Sequence, residues 1–182
     1  SLVGSEMCIR DREIEVPFNA TLQILVENMG RINYGSEIVH NTKGIISPVQ
    51  IAGKEIVGGW DMYQLPRDEM PDLTKLKADT HKNVPSEVAK LKGCPVLYEG
   101  TFTLDKVGDT FMDMESWGKG IVFVNGVNIG RYWKVGPQQT LYIPGVWLKK
   151  GENKIVIFEQ LNETPQTEVK TVKTPVLMKL KG

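Results

Sequence analysis

The sequence predicts an all-β protein, and three observations carry that prediction. Apolar residues recur in short runs, several with a period of two. These runs are bounded by glycine, proline and asparagine, and no stretch keeps the 3.6-residue period of an amphipathic helix. Runs of this length and spacing are typical of a β-sandwich or jelly roll, so we expect short strands packed in such a sandwich.

The N-terminal third contains three candidate strands separated by turns. Leu22, Ile24 and Val26 alternate with polar residues, and Pro48 lies in a run that suits an edge strand or a bulge. The predicted order is a strand at 22–27, a loop at 28–35, a strand at 43–51, a turn at 52–55 and a strand at 56–65.

Residues 66–95 differ from the rest in having several prolines, many charged and small residues and few β-branched ones. This composition predicts a connector, with one short helix at 86–91 that Ser86 would cap.

Strand-like runs resume after the connector. They lie at 96–104, 110–115, 120–124, 127–133, 140–144 and 153–160. The Asn125-Gly126 pair between two of them predicts a tight type I′ hairpin turn, and Gly130 predicts a bulge. Residues 167–180 mix valines with lysines and Pro175, which predicts a protected edge strand.

Composition excludes several classes of function. The 182 residues carry 22 basic and 22 acidic side chains, so no net positive charge favours nucleic acid or an anionic membrane as a partner. No apolar run approaches the roughly 18 to 20 residues of a membrane-spanning helix. Cys8 and Cys94 lie far apart without metal-ligand spacing, and we expect neither a disulfide framework nor a metal site nor a cofactor.

Residues 1–12 break from the strand pattern that follows, and they resemble no signal peptide. We expect them to be an extraneous leader, which makes them uninformative about the compartment of the protein.

No catalytic motif is evident among the polar residues. Glu27, Asp113, Glu115 and Glu159 alternate with apolar neighbours, so we expect solvent-facing or strand-end carboxylates. Nucleophile-elbow and phosphate-loop motifs are absent from the sequence, and the two histidines are expected in loops.

Aromatic residues are the better candidates for a ligand, because the apolar faces of sugars stack on Trp and Tyr rings. Most tryptophans of a small sandwich nevertheless belong to its core or to a domain contact. Trp60 and Trp133 are the candidates for sugar stacking.

Five segments together resemble glycoside hydrolase family 35, the retaining β-galactosidases. They are LQILVENMGRINYG at 22–35, KGI at 43–45, WDMY at 60–63, VNGVNIGRYW at 124–133 and GPQQTLYIP at 136–144. The resemblance covers most of residues 14–160. It implies an N-terminal catalytic (β/α)₈ barrel followed by galactose-binding-like β-sandwiches, and a barrel needs about 250 residues.

The resemblance therefore implies a C-terminal part of such an enzyme without its barrel. Residues 13–54 would be the C-terminal half of the first β-domain, and residues 55–182 a second, jelly-roll β-domain that includes the connector. A half sandwich exposes an unpaired face, so this part is expected to be less stable or more prone to associate.

One site residue follows from the resemblance. Tyr34 occupies the position of a family tyrosine that approaches the galactose site of the barrel, with Arg31 and Asn33 as support for its loop. Arg131 and Tyr132 are expected to brace strands or domains.

The predicted function is thus a non-catalytic accessory region, with no catalytic residue of its own, that braces the missing N-terminal barrel. It would meet β-galactoside glycans through the parent enzyme, which the resemblance places in a secreted, periplasmic or lysosomal setting. Two alternatives remain: an independent carbohydrate-binding module, and a purely structural interaction domain.

Overall fold

The computed structural model describes residues 19, 22, 24, 26–28, 34–64, 66, 69–70, 72, 92–93 and 95–180. The chain divides into two compact units, Ser1–Tyr63 and Gln64–Gly182. The sequence prediction placed this boundary between residues 54 and 55. The predicted helix at 86–91 and the leader at 1–12 lie outside the described residues.

The first unit has little regular structure in its described part. A 3₁₀ helix spans Ser36–His40, and strands β1 (Gln50–Ile51) and β2 (Lys54–Glu55) form an antiparallel hairpin. The turn residues Ala52 and Gly53 have φ angles of 50° and 74°, as a type I′ turn requires. None of the described residues of this unit is buried.

The strand predictions for the first unit are largely wrong. The described residues within 22–27 and within 56–65 are not in strands, and only the last two residues of the predicted strand at 43–51 are. The physical reason is that alternation specifies a buried face only where a second layer covers it. No such burial occurs among the described residues of this unit.

The second unit confirms the all-β prediction. Its strands are β3 (Val96–Leu104), β4 (Thr110–Asp113), β5 (Lys119–Val124), β6 (Val127–Trp133), β7 (Thr140–Ile143), β8 (Gly151–Glu159) and β9 (Lys170–Val172). They form a four-stranded sheet in the order β3-β8-β5-β6 and a three-stranded sheet in the order β7-β4-β9. All pairs are antiparallel, and β9 is a short edge strand within the predicted segment 167–180.

The predicted hairpin is confirmed. Asn125 and Gly126 have φ angles of 50° and 86°. The Asn125 side chain also fixes the neighbouring chain, because its Oδ1 accepts from the Lys154 N–H at 2.9 Å. The register of β5 and β6 shifts opposite Val122 and Phe123, which leaves Ile129 as the extra residue of a bulge beside Gly130, where φ is 132°.

The core of the second unit lies between its two sheets. The four-stranded sheet contributes Val122, Val124 and Ile157, and the three-stranded sheet contributes Met112 and Ile143, each at most 2% exposed. A second cluster on the other face of β5 joins Ile121, Phe123 and Val156 to Leu97 and Met70. All six residues of β5 are buried, and β5 and β8 are the two inner strands of the four-stranded sheet.

None of the helices in the described ranges is long and apolar enough to cross a membrane.

Candidate functional site

Tyr34 precedes the 3₁₀ helix of the first unit and is 90% exposed. Its neighbour Gly35 has a φ of 97°, a left-handed conformation that only glycine adopts readily. Because its side chain is almost fully exposed, the Tyr34 phenol is accessible to a ligand or to another protein surface. Arg31 and Asn33, its predicted supports, lie outside the described residues.

The two tryptophans named as stacking candidates have different surroundings. Trp60 lies in the first unit and is 39% exposed. Trp133 is half-buried at the end of β6, and the ammonium of Lys119, its cross-strand partner, lies 4.5 Å from its ring centroid. That lysine covers one face of the indole, which leaves at most the other face for a ligand.

Glu159 is buried at 2% exposure, and its carboxylate accepts five hydrogen bonds. Its Oε1 accepts from the backbone N–H groups of Lys119, Leu161 and Asn162 at 2.9–3.0 Å. Its Oε2 accepts from the Gly118 N–H at 2.9 Å and the Tyr132 hydroxyl at 3.0 Å. The expectation of a solvent-facing carboxylate is wrong here, although Glu159 does end a strand.

This carboxylate ties three strands together, because its partners come from the start of β5, from β6 and from the chain after β8. The packing around the Glu159 carboxylate leaves no room for a Cβ atom at positions 118 and 120. A Cβ on Gly118 would lie 2.8 Å from Glu159 Oε1, and one on Gly120 would lie 1.9 Å from the Phe158 carbonyl oxygen. Burial, reinforced by Glu159, raises the pKa of Tyr132 and keeps it a neutral donor. Tyr132 therefore braces strands, as expected.

Arg131 does not brace anything in the part of the chain that the structure describes. Its side chain is exposed, and no hydrogen bond or ion pair joins it to a described residue. The alternation of β6 explains the difference, since Tyr132 faces the core and Arg131 faces away from it.

Aromatic packing continues from Tyr132 into the core. Trp117 makes edge-to-face contacts with Tyr98 and Tyr132, at centroid distances of 5.2 and 6.3 Å. The Tyr98 hydroxyl donates to Asn162 Oδ1 at 2.7 Å. Because Trp117 is only 4% exposed, it is a core residue and offers no platform for a sugar.

A pocket of about 380 Å³ opens beside this cluster. Its lining is mostly polar and consists of Asp113, Glu115, Ser116, Trp117, Gln166, Glu168, Val169 and Lys170. Two of the carboxylates are paired with lysines, Glu168 with Lys170 at 2.8 Å and Glu115 with Lys179. Within the described ranges, no group of three or more His, Cys, Asp and Glu side chains is arranged to hold a metal ion.

An exposed aromatic residue that the sequence analysis did not single out lies on the same sheet as two of the lining residues, Asp113 and Lys170. Tyr142 on β7 is 45% exposed, and its hydroxyl donates to Asp109 Oδ2 at 2.8 Å. Its ring lies 5.4 Å from that of Phe111 on β4. The alternation of strand β7 could have identified Tyr142 from the sequence. Leu141 and Ile143 face the core, so Tyr142 between them must face outward.

Comparison with known proteins identifies both parts of the chain. Residues 6–66 match the first all-beta domain of β-galactosidases, and residues 95–153 match their galactose-binding domain. Residues 6–12 thus lie inside the first match. The fold and these matches define the class: jelly-roll-type β-domains of a glycoside hydrolase.

Curated relatives agree with this class. The chain is 37% identical to "Beta-galactosidase 1" of Dictyostelium discoideum, over 90% of this chain and 25% of the relative. It is 41% identical to "Beta-galactosidase 17" of Arabidopsis thaliana, over 86% of this chain and 23% of the relative. Human "Beta-galactosidase-1-like protein 3" is 38% identical, over 86% and 23% respectively.

The chain carries the C-terminal β-domains of the β-galactosidase family, glycoside hydrolase family 35, as the sequence resemblance implied. It spans about a quarter of the length of the curated relatives it matches.

Proposed function

We propose that this chain is the non-catalytic accessory β-sandwich region of a β-galactosidase that acts on terminal β-galactosyl residues. The observation that carries the proposal is the match of two β-galactosidase β-domains in one chain. Such an enzyme needs a pair of carboxyl groups about 5 Å apart if it retains configuration. Glu159 is a poor candidate for that chemistry, because both of its oxygens already accept hydrogen bonds from the protein and its side chain is buried.

The accessory region braces the catalytic barrel of the parent enzyme. The support comes from the first unit, whose described residues expose several large apolar side chains. Val39, Val57 and Met62 are 80%, 87% and 93% exposed. Exposed apolar side chains mark an interaction site where they form one contiguous patch, and we propose that these three belong to such a patch.

Tyr34 lends its phenol to the rim of the sugar pocket, and Arg31 and Asn33 hold its loop. The support for this role is the 90% exposure of Tyr34. A phenol offers both a ring face for the sugar and a hydroxyl that donates or accepts a hydrogen bond.

The test uses a chimera in which this chain replaces the matching segment of the Dictyostelium relative. Tyr34→Ala is expected to lower kcat/KM for a chromogenic β-galactoside by about tenfold, the worth of one hydrogen bond with its packing. Tyr34→Phe separates the hydroxyl from the ring. Tyr63→Ala is the matched control, because Tyr63 is an equally exposed tyrosine of the same unit, at 85%.

Two results would count against the proposal. If Tyr34→Ala changes only the melting temperature of the chimera and leaves kcat/KM intact, the region is a purely structural domain. If the isolated 182-residue chain turns over the chromogenic substrate after repurification, the region is not an accessory one.

The alternative of a carbohydrate-binding module has one observation in its favour, an exposed Tyr142 on the sheet whose residues Asp113 and Lys170 line a polar pocket.

A further inference from the structure

The outer face of the three-stranded sheet carries two rows of side chains. Tyr142, Phe111 and Val172 are cross-strand neighbours on β7, β4 and β9, and we call them the aromatic row. Two residues further along the same face, Thr140, Asp113 and Lys170 are cross-strand neighbours and form the polar row. Thr140 is buried there and hydrogen-bonded to the Val176 backbone, so Asp113 and Lys170 are the accessible part of this row. The rows are about 7 Å apart, since strands advance about 3.4 Å per residue.

The register fixes which way these side chains face. Met112, Leu141 and Ile143 alternate with them and belong to the core between the sheets. The aromatic row therefore lies on the opposite face of the sheet, away from that core. Tyr142 remains 45% exposed there.

The ring of Tyr142 is held in place before any ligand arrives. Asp109 Oδ2 accepts from its hydroxyl at 2.8 Å, and Asp109 Oδ1 accepts from the Gly145 N–H at 2.8 Å. The Gly145 N–H and the Tyr142 hydroxyl lower the pKa of Asp109, while the hydrogen bond to Asp109 raises the pKa of Tyr142. At neutral pH the ionised Asp109 carboxylate therefore accepts from the neutral Tyr142 hydroxyl and fixes the ring. A fixed ring loses little rotamer entropy when a ligand covers it.

The polar row leads into the pocket of about 380 Å³, because Asp113 and Lys170 also line it. That volume lies within the roughly 300 to 1,000 Å³ typical of small-ligand sites. Glu168 and Glu115 are already paired with lysines, which leaves Asp113 as the one lining carboxylate without an ion pair to a described residue, and its Oδ1 accepts from the Glu115 N–H at 2.9 Å. Amide, hydroxyl, carboxylate and ammonium groups side by side suit a neutral ligand rich in hydroxyl groups.

We propose that this face is a second, non-catalytic saccharide site. One sugar ring stacks on Tyr142 at the edge of the aromatic row, and the next sugar hydrogen-bonds Asp113 and Lys170 at the pocket mouth. The identification of the neutral ligand as a saccharide rests on the proposed function in a glycoside hydrolase. The site would hold glycan chains near the enzyme without taking part in their cleavage.

The test titrates the 182-residue chain with galactose, lactose and β-1,4-galactobiose, followed by ¹H–¹⁵N NMR. Saturable shifts with millimolar dissociation constants are expected for residues 109–113, 140–143 and 166–170. Tyr142→Ala should weaken binding about tenfold, since it removes the stacking ring. Tyr142→Phe keeps the ring and should stay within about threefold. Asp113→Asn tests the polar row without altering the aromatic one, and Tyr63→Ala is the control.

The proposal is overturned if none of the three sugars produces saturable shifts up to about 100 mM. It is also overturned if binding survives both Tyr142→Ala and Asp113→Asn, or if a peptide or a second copy of the chain occupies this face instead. In the chimera, Tyr142→Ala should leave kcat/KM for a chromogenic monosaccharide unchanged. Failure of this site and failure of the Tyr34 role are therefore separate results.

Discussion

The two compact units of the chain differ in whether their apolar side chains are covered. In the first unit, Val57 and Met62 are 87% and 93% exposed, whereas Val122 and Val156 in the second are fully buried. Both units contain apolar residues in short runs bounded by turn residues. The difference teaches that the pattern becomes a stable strand only where a second layer of the same chain covers it.

The two units also differ in the free energy that burial of apolar side chains contributes to folding. Full burial of a Val, Leu or Ile side chain contributes about 1.5–3 kcal/mol, and the second unit has many such residues in one contiguous cluster. The described part of the first unit has none. We therefore expect the second unit to account for the stability of the chain and the first to depend on a partner.

The largest effect should come from adding one methyl group to the packed unit. In Gly120→Ala, the new Cβ would meet the Phe158 carbonyl oxygen at 1.9 Å, so the sheet must shift, at a cost of about 3 kcal/mol or more. Gly58→Ala in the first unit meets nothing within 4 Å and should change stability by less than about 0.5 kcal/mol. Thermal unfolding followed by circular dichroism measures both. Equal melting temperatures for the two variants would contradict the claim that the second unit is tightly packed and the first is not.

The next largest effect should come from the buried carboxylate. Glu159→Gln replaces one acceptor oxygen with an amide that faces N–H or O–H donors, and we expect a loss of about 2–4 kcal/mol. Glu37→Gln, at an exposed position of the first unit, is the matched substitution and should be nearly neutral. Urea unfolding provides both values. A neutral Glu159→Gln would mean that this carboxylate does not tie the strands together.

A smaller effect should appear at alkaline pH. Burial raises the pKa of Tyr132 in the folded state above the value near 10 of an unfolded tyrosine. Below about pH 10 the hydroxyl is protonated in both states, so its contribution to stability is fully present there. As pH rises further, the unfolded state loses the proton first and stability falls. Tyr132→Phe should flatten that fall, and an unchanged slope would contradict the geometry of this hydrogen bond.

The sequence predicted the second unit well because its pattern and its turn chemistry agree. The type I′ turn at Asn125-Gly126 and the strands β3 and β6 have the predicted positions. It did not reveal that Glu159 is buried, since its five donors come from segments that lie side by side only in the fold.

The candidate site was harder to predict than the fold. The resemblance named Tyr34, whose proposed role depends on the catalytic barrel of the parent enzyme. Tyr142 was missed because its ring is fixed by contacts with Asp109 and Phe111, which belong to another strand and its preceding loop. Trp117, in contrast, looks like a sugar platform by residue type and is a core residue by position.

Hydrogen exchange read by mass spectrometry tests the central claim most directly, by comparing the isolated chain with the chimera that contains a catalytic barrel. In the isolated chain, amides of β5 and β8 should be strongly protected, and those of residues 34–63 should exchange rapidly. In the chimera, residues 34–63 should become protected while β5 and β8 stay as they were. Rapid exchange of residues 34–63 in both proteins would contradict the claim that this region braces a partner.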